Sequence, residues 1–166
     1  MKPSLILASS SPYRQELLSR LGVPFQAISP DIDEEAWHRS DALPDVVARG
    51  LAFAKARVVA QQFPRSVVVG SDQVASLEKE ILTKPGTPPR AFEQLTRLAG
   101  KTHQLWTAVC IISPDRKDES LDQTNLLMRK LSPAAITRYV QADMPTDCAG
   151  AYKIESLGIS LFERVN

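Results

Sequence analysis

Residues 66–77, Ser-Val-Val-Val-Gly-Ser-Asp-Gln-Val-Ala-Ser-Leu, narrow what this chain can fold into more than any other stretch. A β-branched run of this kind marks a strand covered on both faces. Helical patterns flank it, one over about 43–62 and one over 89–99 that Gly100 closes. The start of the chain alternates in the same way. Residues 5–8 read as a short apolar strand, and Ser11 as N-cap with Pro12 at the first helical position opens a helix that Gly22 closes. Residues 25–29 read as a second strand, followed by an acidic loop that contains Glu34 and Glu35. Residues 78–89 form a turn-rich excursion, and 103–113 and 121–131 read as paired strands around a polar turn. Ser132 and Pro133 cap another helix, and a loop and strand finish the chain. Interleaved strands and helices argue an α/β fold.

Length and charge exclude several classes. At 166 residues the chain makes one domain or two small lobes with a real core. A net charge of +1 gives no pull toward nucleic acid or an anionic membrane. No apolar run approaches the ~20 residues a bilayer span needs. The start, Met1-Lys2-Pro3-Ser4, soon meets serines and Arg14, unlike a signal peptide. Cys110 and Cys148 make no disulfide framework and read as reduced thiols of a cytoplasmic protein. His38 and His103 stand apart without cysteine neighbours, which argues against a zinc site.

Chemistry concentrates at a few positions. Ser9, Ser10 and Ser11 precede a helix whose first turn carries Tyr13 and Arg14. A helix N-terminus after a strand offers unpaired N–H groups and positive dipole charge, and Arg14 adds a cation suited to phosphate. An ordinary capped helix with an exposed arginine explains the same residues. Lys55 falls among Leu51, Ala52, Val58 and Val59 at helical spacing, on an apolar stripe. It either snorkels to the rim or points into a cleft that holds an anion. On that view an apolar replacement, Lys55→Met, relieves desolvation and folds at least as stably. Asp72 follows the Val-Val-Val-Gly run, at the carboxyl end of a strand, where ligands of open α/β sheets sit. It could hold Mg²⁺ or polarise a water, or be a turn aspartate. Lys84 is a further loop cation. Gly100-Lys101-Thr102 ends like a P-loop, but Leu95 stands where that motif needs glycine.

Six motifs in order, "LILASSSPYRQELLSRLG", "DIDE", "AFAKA", "VVVGSDQV", "LTKP" and "CAGAYKIESLGISLFE", resemble those of the Maf family of nucleotide pyrophosphatases. The resemblance runs over residues 5–163 and implies one Maf-like domain across 1–166. The implied fold is a mixed, twisted central sheet flanked by helices, with a cleft between two lobes. The implied reaction cleaves a nucleoside triphosphate to monophosphate and pyrophosphate with a divalent cation, Mg²⁺ or Mn²⁺. By motif, Ser9, Arg14, Lys55 and Lys84 would contact the triphosphate, Glu34 and Asp72 would serve the metal, and Asp72 would accept the proton.

Tyr13, Gln73 and Glu155 resemble the branch that acts on 7-methyl-GTP, whereas other branches take dTTP and UTP. Methylation at N7 makes guanine cationic, so an aromatic face and a carboxylate suit it. An exposed aromatic and a solvated loop charge account for Tyr13 and Glu155 equally well on their own. The branch often has a second arginine where Gln15 stands, and family chains continue past the final strand into a Gly-Leu-Pro-Leu-like segment and a helix. Two other readings stay open: a pyrimidine triphosphate pyrophosphatase, and a nucleotide-binding regulator of cell division without turnover. The expected partner is a nucleotide, with neither nucleic acid nor membrane, and a homodimer is compatible with the family.

Overall fold

The computed structural model describes residues 4–38 and 41–166, so the reading of Met1, Lys2 and Pro3 as no signal peptide falls outside the described residues. In chain order the elements are β1 (Leu5–Ala8), α1 (Pro12–Ser19), β2 (Gln26–Ile28), α2 (Glu34–His38), α3 (Pro44–Gln62), β3 (Val67–Leu77), β4 (Glu80–Leu82), α4 (Pro88–Leu98), β5 (Thr102–Ile112), β6 (Lys117–Met128), α5 (Pro133–Asp143) and β7 (Phe162–Val165). Two short 3₁₀ turns, Ala149–Ala151 and Leu157–Leu161, precede β7. Among the described residues, seven strands form one sheet in the order β2-β1-β3-β5-β6-β7, with β4 paired to β3. The sheet is mixed: β1 runs parallel to β2 and β3, while β3–β4 and β6–β7 are antiparallel. With helices flanking it, the fold is α/β. Among the described residues no helix is long and apolar enough to cross a membrane.

The chain divides into two compact units. The first holds the chain up to Gln73 together with Thr107–Asp122, and the second holds Val74–Trp106 and Gln123–Asn166. In the first unit the buried stripe of α3 is Pro44, Val47, Ala48, Leu51, Ala52, Lys55, Ala56 and Val59, at three- and four-residue spacing. Three of these are alanines four apart, so the helix presents little side chain toward β3. Gly70 answers from the strand. A Cβ there would lie 2.6 Å from the Ala56 nitrogen and closer still to the Ala52 carbonyl. Helix and strand therefore meet backbone to backbone. A second close approach sets α2, where the Cζ3 and Cη2 atoms of the Trp37 ring occupy the space a side chain at Gly50 would fill.

The second unit buries a separate cluster that includes Leu95, Leu98, Leu126, Met128, Ile136 and Tyr152. Within it His103 of β5 is fully buried and shares a 2.9 Å hydrogen bond with the Tyr152 hydroxyl. The Tyr152 ring meets Phe162 edge-on at 4.9 Å. Burial pushes the imidazole pKa down from 6.5 to about 4.

Local signals match the structure at the helix starts. The Ser11 hydroxyl accepts from the Arg14 N–H at 3.4 Å and Ser132 caps α5 in the same way, each with proline at the first turn. Three expectations are corrected. Glu34 and Glu35 open α2 instead of lying in a loop, because the Asp33 carboxylate accepts the Ala36 N–H at 3.1 Å and caps the turn. The turn-rich excursion contains β4, which folds back on β3 with Leu82 opposite Ala75. And β3 is fully buried on both faces only over Val74–Ser76; before that Val68, Gly70 and Asp72 are buried on one face, while Val67, Val69 and Ser71 on the other are half-buried and Gln73 is exposed.

The backbone contact at Gly70 yields a direct test. Gly70→Ala is expected to cost about 2–3 kcal/mol, because its methyl meets backbone atoms that no side-chain rotation can clear. Urea denaturation of parent and variant measures it, and a loss below half that figure would show that α3 can shift off the strand freely.

Candidate functional site

The register of β1 against β3 places the site. Ala8, the last residue of β1, pairs with Gly70, so the chain leaves β1 while β3 still runs on. Asp72 is therefore not the end of its strand: β3 continues to Leu77, which removes the turn explanation. Asp72 instead lies just past the carboxyl end of β1, where the β1–α1 junction turns away. It shares a strand face with Gly70 two residues earlier, the face against α3.

Lys55 comes from that helix. Its ammonium is 2.7 Å from Asp72 Oδ1 and 2.9 Å from Glu34 Oε1, and its side chain is only 3% exposed. It does not snorkel to water: two carboxylates of its own chain, Asp72 and Glu34, take its ammonium. Arg14 approaches the same oxygen, with Nη2 at 3.9 Å from Asp72 Oδ1. Among the described residues the cluster thus holds two cations and two carboxylates, with no excess charge. Ser9 is buried on the β1–α1 junction, where its hydroxyl accepts the Ser11 N–H at 3.1 Å and keeps its own proton available to donate.

One atom of this cluster is unpartnered. Asp72 Oδ2 is buried and has no hydrogen-bond partner among the described residues. A buried carboxylate oxygen without a donor is costly, and such atoms occur where a ligand or ion completes them. Glu34 keeps a side chain 45% exposed. Among the described residues no group of three or more His, Cys, Asp or Glu side chains is placed to hold a metal ion. The donor set fits a hard cation such as Mg²⁺, which binds through one or two carboxylates and completes its shell with phosphate oxygens and water.

The other expected residues lie elsewhere on the two units. Gln73, next to Asp72, projects from the opposite face of β3, and its amide donates to the Thr107 hydroxyl at 3.0 Å. Tyr13 is 39% exposed on α1. Lys84 and Glu155 are exposed residues of the second unit. Sequence reasoning missed Thr107, Gly70 and the Trp37–Gly50 contact. The alanines at 48, 52 and 56 opposite a strand glycine were the available signal for Gly70.

This geometry reverses the expected effect of Lys55→Met. Asp72 stays buried, so removing Lys55 leaves a charge uncompensated, and the loss is expected to reach roughly 3 kcal/mol. Adding Asp72→Asn should restore part of it, because the orphaned charge goes with it. Denaturation of the two single variants and the double one checks this; a Lys55→Met variant as stable as the parent would mean that Asp72 is solvated after all.

Comparison with known proteins agrees with this architecture. A family model for Maf-like protein matches residues 4–166. The chain is 47% identical over 165 residues to the 7-methyl-GTP pyrophosphatase of Xanthomonas oryzae pv. oryzae (strain KACC10331 / KXO85), covering 99% of this chain and 85% of that protein. It is likewise 47% identical over 161 residues to the 7-methyl-GTP pyrophosphatase of Bdellovibrio bacteriovorus, covering 97% and 84%. Among solved structures, a HAM1 protein from Coxiella burnetii aligns with a TM-score of 0.54 at 16% identity, over 78% of this chain and 75% of that one, a likeness of fold. Matched along all but its first residues, the chain belongs to the Maf-like protein family.

Proposed function

We propose that this chain hydrolyses 7-methyl-GTP to 7-methyl-GMP and pyrophosphate. At the coarser level it is a nucleotide pyrophosphatase, a hydrolase of nucleoside triphosphates, on the strength of relatives so named that are 47% identical over nearly its whole length. The observation that carries the reading is Asp72: buried, held at Oδ1 by Lys55, approached by Arg14, and open at Oδ2.

Each residue then has a role. Arg14 and Lys84 supply positive charge to the triphosphate, with the Ser9 hydroxyl as a donor near the helix start. Lys55 orients both carboxylates and adds to the same field. A divalent cation, Mg²⁺ or Mn²⁺, shared by Asp72, Glu34 and the phosphates would neutralise charge on the scissile anhydride. Asp72 accepts a proton from water as its oxygen bonds to the α-phosphorus. The bridging α–β oxygen departs with pyrophosphate. The methylated guanine is read by the Tyr13 face, which suits a cationic ring, and by the Glu155 carboxylate, which accepts from its N–H groups. Free thiols at Cys110 and Cys148 fit a cytoplasmic setting.

The test is pyrophosphate release from 7-methyl-GTP, GTP, UTP and dTTP with Mg²⁺ or Mn²⁺. A parent that prefers UTP or dTTP moves the chain to the pyrimidine reading, and no release from any of them leaves a nucleotide-binding regulator. Asp72→Asn is expected to lower kcat by about 10²–10⁴-fold while the fold persists, and near-parental kcat would remove Asp72 from the proton transfer. Tyr13→Arg combined with Glu155→Gln should lower kcat/KM for 7-methyl-GTP, relative to UTP, roughly thirty- to a thousand-fold. Ratios that stay put would leave the pyrophosphatase standing and dismiss these two residues as readers of the base.

A further inference from the structure

Glu155 stands on a turn that is held far more firmly than an exposed surface turn requires. The Lys153 carbonyl accepts from the Ser156 N–H at 3.1 Å and the Gly158 N–H at 3.0 Å, closing the turn around Glu155. Two residues of α5 then fasten its ends. The Lys153 N–H donates to the Tyr139 hydroxyl at 3.0 Å, and the Ser156 hydroxyl donates to Asp143 Oδ1 at 2.7 Å. Tyr139 and Asp143 are four residues apart, so one helix face provides both anchors. Tyr139 is only 6% exposed, and its phenol oxygen accepts this backbone N–H.

The approach to the turn is equally constrained. Gly150 and Ala151 both have positive φ, 81° and 59°, and the second is a conformation that a residue with a side chain rarely adopts. Tyr152, next in line, is buried and bonded to His103. Backbone held in a sparse region by its surroundings concentrates at functional sites, where it pre-organises a group for its ligand. This turn presents Glu155 to solvent, with Ser156 and Leu157 exposed beside it.

We propose that Tyr139 is a positioning residue for base recognition: its hydroxyl fixes the turn that carries Glu155 and so sets how strongly the chain distinguishes a methylated purine from other bases. The inference rests on the reading of Glu155 given above. A turn fixed before the ligand arrives loses little backbone freedom on binding, so the clamp acts on substrate affinity and leaves the hydrolytic step alone. Tyr139→Phe deletes one oxygen and strands the Lys153 N–H. Ser156→Ala releases the other end of the turn from its exposed side, and it serves equally if the first variant fails to fold.

The experiment measures kcat and KM for 7-methyl-GTP and UTP on the parent, Tyr139→Phe, Ser156→Ala and Glu155→Gln. Loss of either clamp is expected to raise KM for 7-methyl-GTP about three- to ten-fold, with its kcat and the values for UTP held within about two-fold. If Tyr139→Phe and Ser156→Ala leave the ratio unmoved, or lower both substrates together, while Glu155→Gln shifts it, the clamp is merely structural and the proposal falls alone. If the parent shows no preference for 7-methyl-GTP, or Glu155→Gln leaves the ratio unmoved, the reading of Glu155 fails and takes the proposal with it.

Discussion

The Ala52 carbonyl, the Ala56 amide and the Ala56 methyl lie against Gly70, so nothing larger than a methyl group separates helix and strand there. Van der Waals exclusion at this one crossing sets the depth at which α3 rides on β3. Lys55 lies on the same helix between those two alanines, so its long side chain is trapped at the interface. Asp72 is the strand's next residue but one on that face, and the ammonium ends there. The chemistry of the first unit is thus a product of packing distance. A helix standing farther off would let water reach the lysine and would loosen both carboxylates.

A buried ion pair of this kind is a poor choice for stability alone. Withdrawing both charges from water costs about as much as their attraction returns, and an apolar pair of similar volume commonly does as well or better. The geometry of the pair shows what it achieves. One ammonium takes an oxygen from Asp72 and an oxygen from Glu34, so residues from a strand and from a separate short helix are brought to one point. The Trp37 ring against Gly50 also fastens that short helix to α3. Asp72 is left with one oxygen committed and one open, and a group that must orient firmly yet still accept a proton needs that division.

Much of this could be read from residue order, and the unread part has a common cause. The caps at Ser11 and Ser132 act through neighbours three residues away, so local sequence specifies them. The apolar setting of Lys55 follows from helical spacing on one element. What took its anion does not, since that depends on Gly70 and on the α2 turn. That turn was obscured because its cap, Asp33, sits within a run of acidic residues that resembles a loop. Likewise, the place of Asp72 depends on where β1 stops beside β3, a fact of register between strands sixty residues apart in the chain. The membership of Arg14, Glu34, Lys55 and Asp72 in one cluster was legible through the family motifs. Composition and spacing supplied each residue with an ordinary alternative.

His103 has a different consequence, one of proton balance. Its imidazole is enclosed by the second unit and holds a proton only below about pH 4, whereas in an unfolded chain it would take one up near 6.5. Its contribution to stability is therefore complete above 6.5 and erodes as the medium is acidified toward 4. Within that window unfolding consumes a proton, so acid and heat act on the second unit in the same direction. Mild acidification is thereby a handle on the unit that carries Glu155, acting through a residue that the proposed chemistry never touches.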